Sequence, residues 1–191
     1  MRILRAIDRT ATPWKNGGGI TREVAASPPG APLESFDWRV SLADVSAGGP
    51  FSFFARIDRC LAVLQGRVSL TIGTHSPVEL SPASPPLRFP GDVPVSAELL
   101  GGPVIDLNVM TRRNRFESRV ERNAARGTQR LPLQAAATLI LALEEVTVAA
   151  GGADCRLAKF DAALFESGGN PQRLVTVGGG EFFFVELVRT A

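Results

Sequence analysis

The strongest constraint on the fold is the alternation of short apolar segments with glycine and proline. Segments such as Trp38–Ala43, Cys60–Leu64 and Val104–Met110 are rich in Val, Leu and Ile. The 19 glycines and 14 prolines, together with Ser and Asp clusters, separate such segments. Short strands joined by turns of this composition are typical of β sandwiches and barrels, and no long segment has the 3.6-residue period of an amphipathic helix. The sequence therefore predicts an all-β protein with at most one helix, a turn or two within Arg112 to Arg126.

An internal similarity at a displacement of 78 residues predicts how the strands are grouped. Val63–Leu70 aligns with Leu141–Val148, and Val104–Arg112 aligns with Phe182–Thr190, with the apolar alternation preserved. Such a repeat indicates two related β units, although two unrelated series of hairpins could also produce it. We predict a first unit at residues 1–130, with a glycine-rich segment and an arginine-rich connector, and a degenerate second unit at 131–191 packed against it.

Charge and composition restrict the partners. Seven arginines lie between Arg112 and Arg130 with only two glutamates, yet no nucleic-acid motif frames them. We therefore expect a solvated connector or a subunit contact, which leaves a homodimer open, and we do not expect nucleic-acid binding. No segment approaches the roughly 18 apolar residues of a membrane helix, and the N-terminus is too charged for a signal peptide. Cys60 and Cys155 cannot build a disulfide framework, so we expect a cytoplasmic protein with no membrane partner.

The segment from Thr12 to Glu23 has the composition of a binding loop. Trp14, Lys15 and Asn16 offer an apolar ring, a mobile positive charge and a paired donor and acceptor, and three consecutive glycines follow them. Glycine lets the backbone approach another group closely. The alternative is a plain turn between two strands.

Strand alternation predicts polar side chains on one face of two further segments. In Trp38–Leu42 it groups Arg39 with Ser41, and in Val104–Thr111 it groups Asp106 with Asn108. Buried polar groups are costly unless they are paired, so a pocket shared by these residues and the glycine-rich segment is the interpretation that we favour. Thr21, Asp58 and Arg59 are further candidates, with an exposed strand face or a loop ion pair as their alternatives.

The region around Leu61-Ala-Val-Leu-Gln-Gly66 and Phe89-Pro-Gly-Asp92 resembles the two motifs of a cupin jelly roll. Cupins place metal-binding histidines at positions that here hold Ser52 and Phe54. A transition metal needs three or four converging ligands, and the chain has one histidine, His75, in a turn-like segment. We therefore expect a cupin without metal and without any other cofactor.

Four blocks in order resemble the HutD/Ves family of double-cupin proteins. They are Pro13-Trp-Lys-Asn-Gly-Gly-Gly-Ile-Thr-Arg-Glu23, Asp37-Trp-Arg-Val-Ser-Leu-Ala43, Gly49-Pro-Phe-Ser-Phe-Phe54 with Ile57-Asp-Arg59, and Asp106-Leu-Asn-Val-Met-Thr-Arg-Arg113. The family usually has Phe-Pro-Gly before the Asp-Arg pair, whereas this chain has Phe54-Ala-Arg56. The resemblance implies a double-cupin fold and an accessory or regulatory role in histidine utilisation.

Three functions follow as hypotheses. The first is a metal-free binder of a small anionic or amide- or formyl-bearing metabolite, such as a histidine-pathway compound. The second is a metal-independent isomerase or hydrolase on the same fold, with its catalytic residues unknown. The third is a structural or partner-binding protein. The candidate ligand-binding residues are Trp14, Lys15, Asn16, Thr21, Arg39, Ser41, Asp58, Arg59, Asp106 and Asn108.

Overall fold

Strands make up nearly all of the regular structure in the computed structural model, which describes residues 1–166 and 174–190. One short 3-10 helix, Ala6–Asp8, is the exception among these residues. The strands are β1 (Arg2–Leu4), β2 (Ala11–Pro13), β3 (Gly19–Ser27), β4 (Trp38–Val45), β5 (Gly49–Pro50), β6 (Ile57–Gln65), β7 (Val68–Ile72), β8 (Val78–Leu80), β9 (Leu87–Pro90), β10 (Val95–Leu99), β11 (Val104–Arg112), β12 (Phe116–Pro132), β13 (Ala137–Ala142), β14 (Val146–Ala150), β15 (Ala153–Leu157), β16 (Ala162–Glu166) and β17 (Leu174–Arg189). The predicted all-β class is confirmed. No helix in these residues has the length and apolarity needed to cross a membrane.

The helix allowed for between Arg112 and Arg126 is wrong. The segment contains the end of β11 and much of β12. At the start of β12, Phe116 and Ser118 are buried while Glu117 and Arg119 are exposed, so burial follows the two-residue period of a strand. The arginines of the segment obscured this period in the sequence.

The chain divides into two packed units. The central unit is Thr10–Glu117, and the terminal unit is Met1–Arg9 together with the described residues from Ser118 onward. Arg130, at which the sequence predicts a boundary, lies inside β12. That the two units are related cupin barrels stays a prediction.

In the central unit, a six-stranded sheet has the order β2-β3-β4-β11-β6-β9, and a four-stranded sheet has the order β5-β10-β7-β8. Side chains from both sheets form one apolar core, which includes Val63, Leu70 and Val95. Period-two alternation explains this packing, because Leu61 and Val63 of β6, and Val68 and Leu70 of β7, are apolar and each pair points to one face of its strand. The unit is therefore built as two layers over a common interior.

Strand β11 lies in the middle of the larger sheet, between β4 and β6, and is antiparallel to both. Its register sets Asn108 opposite Ser41 and Leu61, and sets Met110 opposite Arg39 and Arg59. Directly opposite residues on one face have Cβ atoms roughly 4.5–5.5 Å apart. The register therefore gathers polar side chains from three strands at one end of the interior.

The terminal unit has one sheet of seven strands. Its order is β1-β16-β13-β17-β14-β15, and β12 pairs with β17 beside this path. An apolar core in this unit includes Ile140, Leu157, Phe182 and Phe184. Asp161 is anchored at its edge, where its carboxylate accepts hydrogen bonds from the Ala6 and Ala158 amides and from Arg5.

Candidate functional site

A cavity of about 830 Å³ opens in the central unit. Five strands of the larger sheet, the glycine-rich segment before β3 and the segments around residues 33–34 and 50–55 line it. Nine of the ten candidate residues are among its lining: Trp14, Lys15, Asn16, Thr21, Arg39, Ser41, Arg59, Asp106 and Asn108. Segments far apart in sequence therefore meet at one cavity, and ligand binding by them stays a prediction.

Strand alternation explains why the sheet contributes these particular side chains. On β4, Arg39 and Ser41 face the cavity while Trp38 and Val40 are buried on the opposite face. On β11, Asp106 and Asn108 face the cavity while Leu107 lies on the other face. The predicted grouping along each of these two strands matches the geometry of the lining.

Asp58 does not line the cavity, so its prediction as a cavity residue beside Arg59 is not supported by the geometry. The two residues are consecutive on β6, so only one of them can face the interior. The Asp58 carboxylate instead accepts hydrogen bonds from Nε and Nη2 of Arg113, at 3.1 and 2.7 Å. Arg113 also donates to Asp92 at 2.9 Å, so Asp58 belongs to a partly exposed ion-pair cluster.

Arg59 is the most deeply buried cation of the cavity, with 7% of its surface exposed. Its guanidinium carbon lies 4.7 Å from the ring centroid of Phe51, 5.3 Å from that of Phe89 and 5.9 Å from that of Phe54. Burial lowers its pKa to about 10, which leaves it charged at neutral pH. Its Nε has no hydrogen-bond partner in the described part of the chain. An aromatic surround with an unsatisfied guanidinium favours an incoming anion.

Asp106 is also buried, with 5% of its surface exposed. Burial raises its pKa to about 7, against the opposing effect of the Arg59 charge. Its Oδ1 atom and the Oδ1 atom of Asn108 both lack hydrogen-bond partners among the described residues. Buried polar atoms are normally satisfied, so these orphaned atoms indicate a site that a ligand or water completes.

The remaining candidates are held by internal contacts. Arg39 Nε donates to Glu23 at 2.7 Å, which neutralises part of its charge. Trp14 Nε1 donates to Thr21 Oγ1 at 2.7 Å, and a Cβ on Gly19 would lie 3.1 Å from two carbons of the indole ring. That Cβ would also lie 2.7 Å from the Asp44 carbonyl oxygen, so this position requires glycine, while the hydrogen bond to Thr21 holds the indole at the cavity wall. Asn16 Oδ1 accepts from the amide of Gly18 at 3.1 Å, which orders the loop that carries Lys15.

Sequence reasoning missed the apolar part of the lining. Phe51 and Phe54 surround Arg59, and Phe53 and Leu33 remain 65% and 44% exposed. The cluster of three phenylalanines in Pro50-Phe-Ser-Phe-Phe54 was the available signal. Ser52 and Phe54, at the positions of cupin histidines, both line the cavity.

The segment after Phe54 differs in sequence from the pattern of the resembling family, and its backbone has an unusual conformation at Arg56. Arg56 stands where the resemblance implies glycine, and its φ is 60°, in the left-handed region that favours glycine. Its amide donates to Asp92 at 3.2 Å. Among residues 1–166 and 174–190, no cluster of three or more His, Cys, Asp or Glu side chains could hold a metal ion.

Comparisons with known proteins agree with the resemblance. The HutD family model matches residues 6–184. A 21.2 kDa protein in the hutC 3′ region of Pseudomonas putida is 35% identical over 195 residues, which cover 98% of this chain and 97% of that protein. Protein Ves of Citrobacter koseri is 36% identical over 108 residues, 56% of each chain.

Solved structures agree at the level of the whole chain. HutD from Pseudomonas fluorescens SBW25 superposes with a TM-score of 0.85 at 32% identity and covers 100% of this chain and 99% of its own. A cupin 2 conserved barrel domain protein from Leptotrichia buccalis superposes with a TM-score of 0.59 at 10% identity, over 95% of this chain and 92% of its own, and supports the cupin-like fold alone. With the family model matched over most of the sequence, this chain belongs to the HutD family.

Proposed function

We propose that this protein binds a small organic anion in the cavity of its central unit and acts as an accessory or regulatory protein in histidine utilisation. The observation that carries the proposal is the Arg59 guanidinium, which is buried among three aromatic rings and has an unpartnered Nε. A buried cation without an ion-pair partner is unfavourable, so a complementary anion gains strongly by binding there.

The charges of the lining support an anion over a cation. Lys15, Arg39, Arg59 and Arg112 contribute positive charge, against Glu34 and the largely desolvated Asp106. Arg112 is occupied with the carbonyl oxygens of Phe36 and Glu34, and Arg39 with Glu23. Lys15 and Arg59 have no such contacts among the described residues, so they are the cations that we expect to meet the ligand.

The comparisons support the biological context. The P. putida relative is described by its position in the hutC 3′ region, and the HutD structure from P. fluorescens was determined in a formate condition. Formate is the smallest carboxylate, and a carboxylate pairs well with a guanidinium. We infer that the ligand is a carboxylate or a formyl or amide compound of the histidine pathway.

A thermal-shift screen tests the proposal. The compounds are histidine, urocanate, formiminoglutamate, formylglutamate and formate. A true ligand at 100 times its Kd should add about 2.7 kcal/mol to the free energy of unfolding. Arg59→Met should reduce the shift at the same ligand concentration to about 0.3–1.4 kcal/mol, whereas Arg113→Met, a matched change outside the cavity, should retain it. No stabilisation by any compound, or equal shifts in both variants, would contradict anion binding at this cavity.

A metal-independent enzyme is the second candidate. It is favoured by Asp106, a buried carboxyl that lines the cavity and has a pKa of about 7, which suits a general acid or base at neutral pH. Turnover of one of the same compounds, lost in Asp106→Asn while binding persists, would select this candidate over a binding protein.

A further inference from the structure

Two buried ionisable side chains of opposite charge share the cavity without forming an ion pair. Arg59 and Asp106 are 7% and 5% exposed, and no salt bridge within 4.0 Å joins them or links either to another described residue. Arg59 Nε and Asp106 Oδ1 both lack hydrogen-bond partners there. Each charge is therefore only partly compensated, and the protonation of Asp106 depends on what neighbours it.

The electrostatic surroundings of Asp106 set the direction of that dependence. Arg59 on β6 favours the carboxylate, while Asp44 on β4 and burial favour the protonated form. Asp44 is itself paired with Arg22 on β3. The other charged groups of the surrounding elements are Arg39 on β4 with its partner Glu23 on β3, Arg112 on β11, Asp58 on the opposite face of β6, Arg88 on β9, and Lys15 and Glu34 in the segments at the cavity. Burial and the Arg59 charge are the largest influences, and they oppose one another.

An anion that binds Arg59 removes the main influence that keeps Asp106 ionised. It adds negative charge in the same desolvated cavity, where like charges disfavour a second carboxylate. A protonated Asp106 also gains a hydroxyl hydrogen that a ligand oxygen or Asn108 Oδ1 can accept. Both effects raise the affinity of Asp106 for a proton once the anion is bound.

We propose that a carboxylate ligand binds beside Arg59 together with one proton, which Asp106 takes up from solvent. This inference rests on the proposed function and adds a specificity: the cavity selects a carboxylate over a neutral isostere most strongly at low pH. Asp106 is then the residue through which pH controls occupancy of the site.

Formate and formamide are the probes, because they are an anion and its neutral isostere. Dissociation constants are measured by NMR titration of the full chain between pH 6 and 8.5. Because the free Asp106 titrates near pH 7, the Kd for formate should rise across this range by up to about 30-fold. The Kd for formamide should change much less. Calorimetry at pH 7.5 in buffers of different ionisation enthalpy should show net proton uptake with formate.

Matched variants test whether Asp106 is the group that takes up the proton when formate binds. Asp106→Asn keeps the shape of the side chain but cannot ionise, so its Kd for formate should be independent of pH. Asp44→Asn makes the same exchange on a carboxylate outside the cavity and should retain the pH dependence with a lower midpoint. His75→Gln removes the one histidine of the chain and should leave the profile unchanged.

The outcomes separate this inference from the proposed function. Formate binding that is flat with pH, or a pH dependence that persists in Asp106→Asn, overturns proton-coupled binding and leaves anion binding intact. If neither formate nor any compound of the thermal-shift screen binds at pH 6, both fail. If Asp106→Asn does not fold, the calorimetric proton uptake of the wild-type protein decides, and zero uptake or proton release overturns the inference.

Discussion

The central and terminal units both contain a long buried strand, but the strand's inward side chains differ in polarity between the two units. In the terminal unit, β17 sends Phe182 and Phe184 into an apolar core that also includes Ile140 and Leu157. In the central unit, β11 sends Asp106 and Asn108 to a cavity wall. In the terminal unit, phenylalanine rings fill the interior. In the central unit, smaller polar side chains leave a cavity with charged groups in its wall.

The 78-residue displacement makes this contrast specific. At that displacement Asp106 aligns with Phe184, which belongs to the apolar core of the terminal unit. In both units the aligned strands pair antiparallel, β6 with β11 and β13 with β17. At this one aligned position, an aspartate lines a cavity in the central unit and a phenylalanine fills a packed core in the terminal unit.

The largest expected effect is on the stability of the terminal unit. Phe184→Ala removes a buried ring and should lower the free energy of unfolding by about 3–5 kcal/mol. Asp106→Ala, at the aligned position, should cost far less, because it also removes a desolvated carboxyl. Urea denaturation followed by circular dichroism measures both. Equal losses would break the contrast between a packed core and a cavity.

The next effect is the pH dependence of stability that Asp106 causes. Its pKa is about 7 in the folded protein and 3.8 in its ordinary state, so between these values the unfolded chain releases a proton that the folded chain keeps. Stability from this group is therefore full below about pH 3.8 and falls as pH rises toward 7, by up to about 4 kcal/mol.

Asp106→Asn should remove this loss, so that the variant gains stability over wild type from pH 4 to pH 8. Denaturation midpoints in urea at the two pH values provide the measurement. A constant difference between variant and wild type would mean that Asp106 ionises normally, and the cavity would then resemble an ordinary solvated surface.

Affinity for an anion should depend more on Arg59 than on Arg39. Arg59→Met removes an unpartnered guanidinium and should weaken formate or urocanate binding by about 10- to 150-fold, equivalent to 1.5–3 kcal/mol. Arg39→Met should have a smaller effect, since Arg39 already donates to Glu23. Isothermal titration calorimetry compares them. A larger loss in Arg39→Met would move the anion site toward the glycine-rich loop.

The smallest effect on stability and binding is expected for Asp58, the residue before Arg59. Asp58→Asn breaks a contact with Arg113 in a cluster whose side chains are 48% and 37% exposed. Exposed ion pairs contribute about 0–1 kcal/mol, so stability should fall by no more than that and ligand affinity should be unchanged. A binding defect as large as that of Arg59→Met would show that strand alternation does not separate the two residues.

The fold and much of the site could be predicted because both follow from local periodicity. Alternation alone grouped Arg39 with Ser41 and Asp106 with Asn108, since neighbouring side chains in a strand point to opposite faces. The same rule would have separated Asp58 from Arg59. The phenylalanines around Arg59 could not be placed, because Phe51 and Phe89 come from segments whose meeting depends on tertiary packing.

The Arg112 to Arg126 segment shows where local reasoning fails. Its charges concealed a strand, and their partners lie far away in sequence: Asp37 binds Arg115, and Glu181 binds Arg122. Arginine itself gives no signal for the left-handed backbone of Arg56, and the one signal was that the resemblance implies glycine at this position.

The indole of Trp14, held at the cavity wall by its hydrogen bond to Thr21, gives the protein a built-in optical probe. The chain has two tryptophans and no tyrosine, and the second indole, Trp38, is 2% exposed. Tryptophan fluorescence therefore comes from Trp38, which is buried away from solvent, and from Trp14, which lines the cavity. A quencher or a ligand that enters the cavity changes the spectrum of Trp14 against the constant background of Trp38, so occupancy can be followed in the unlabelled protein.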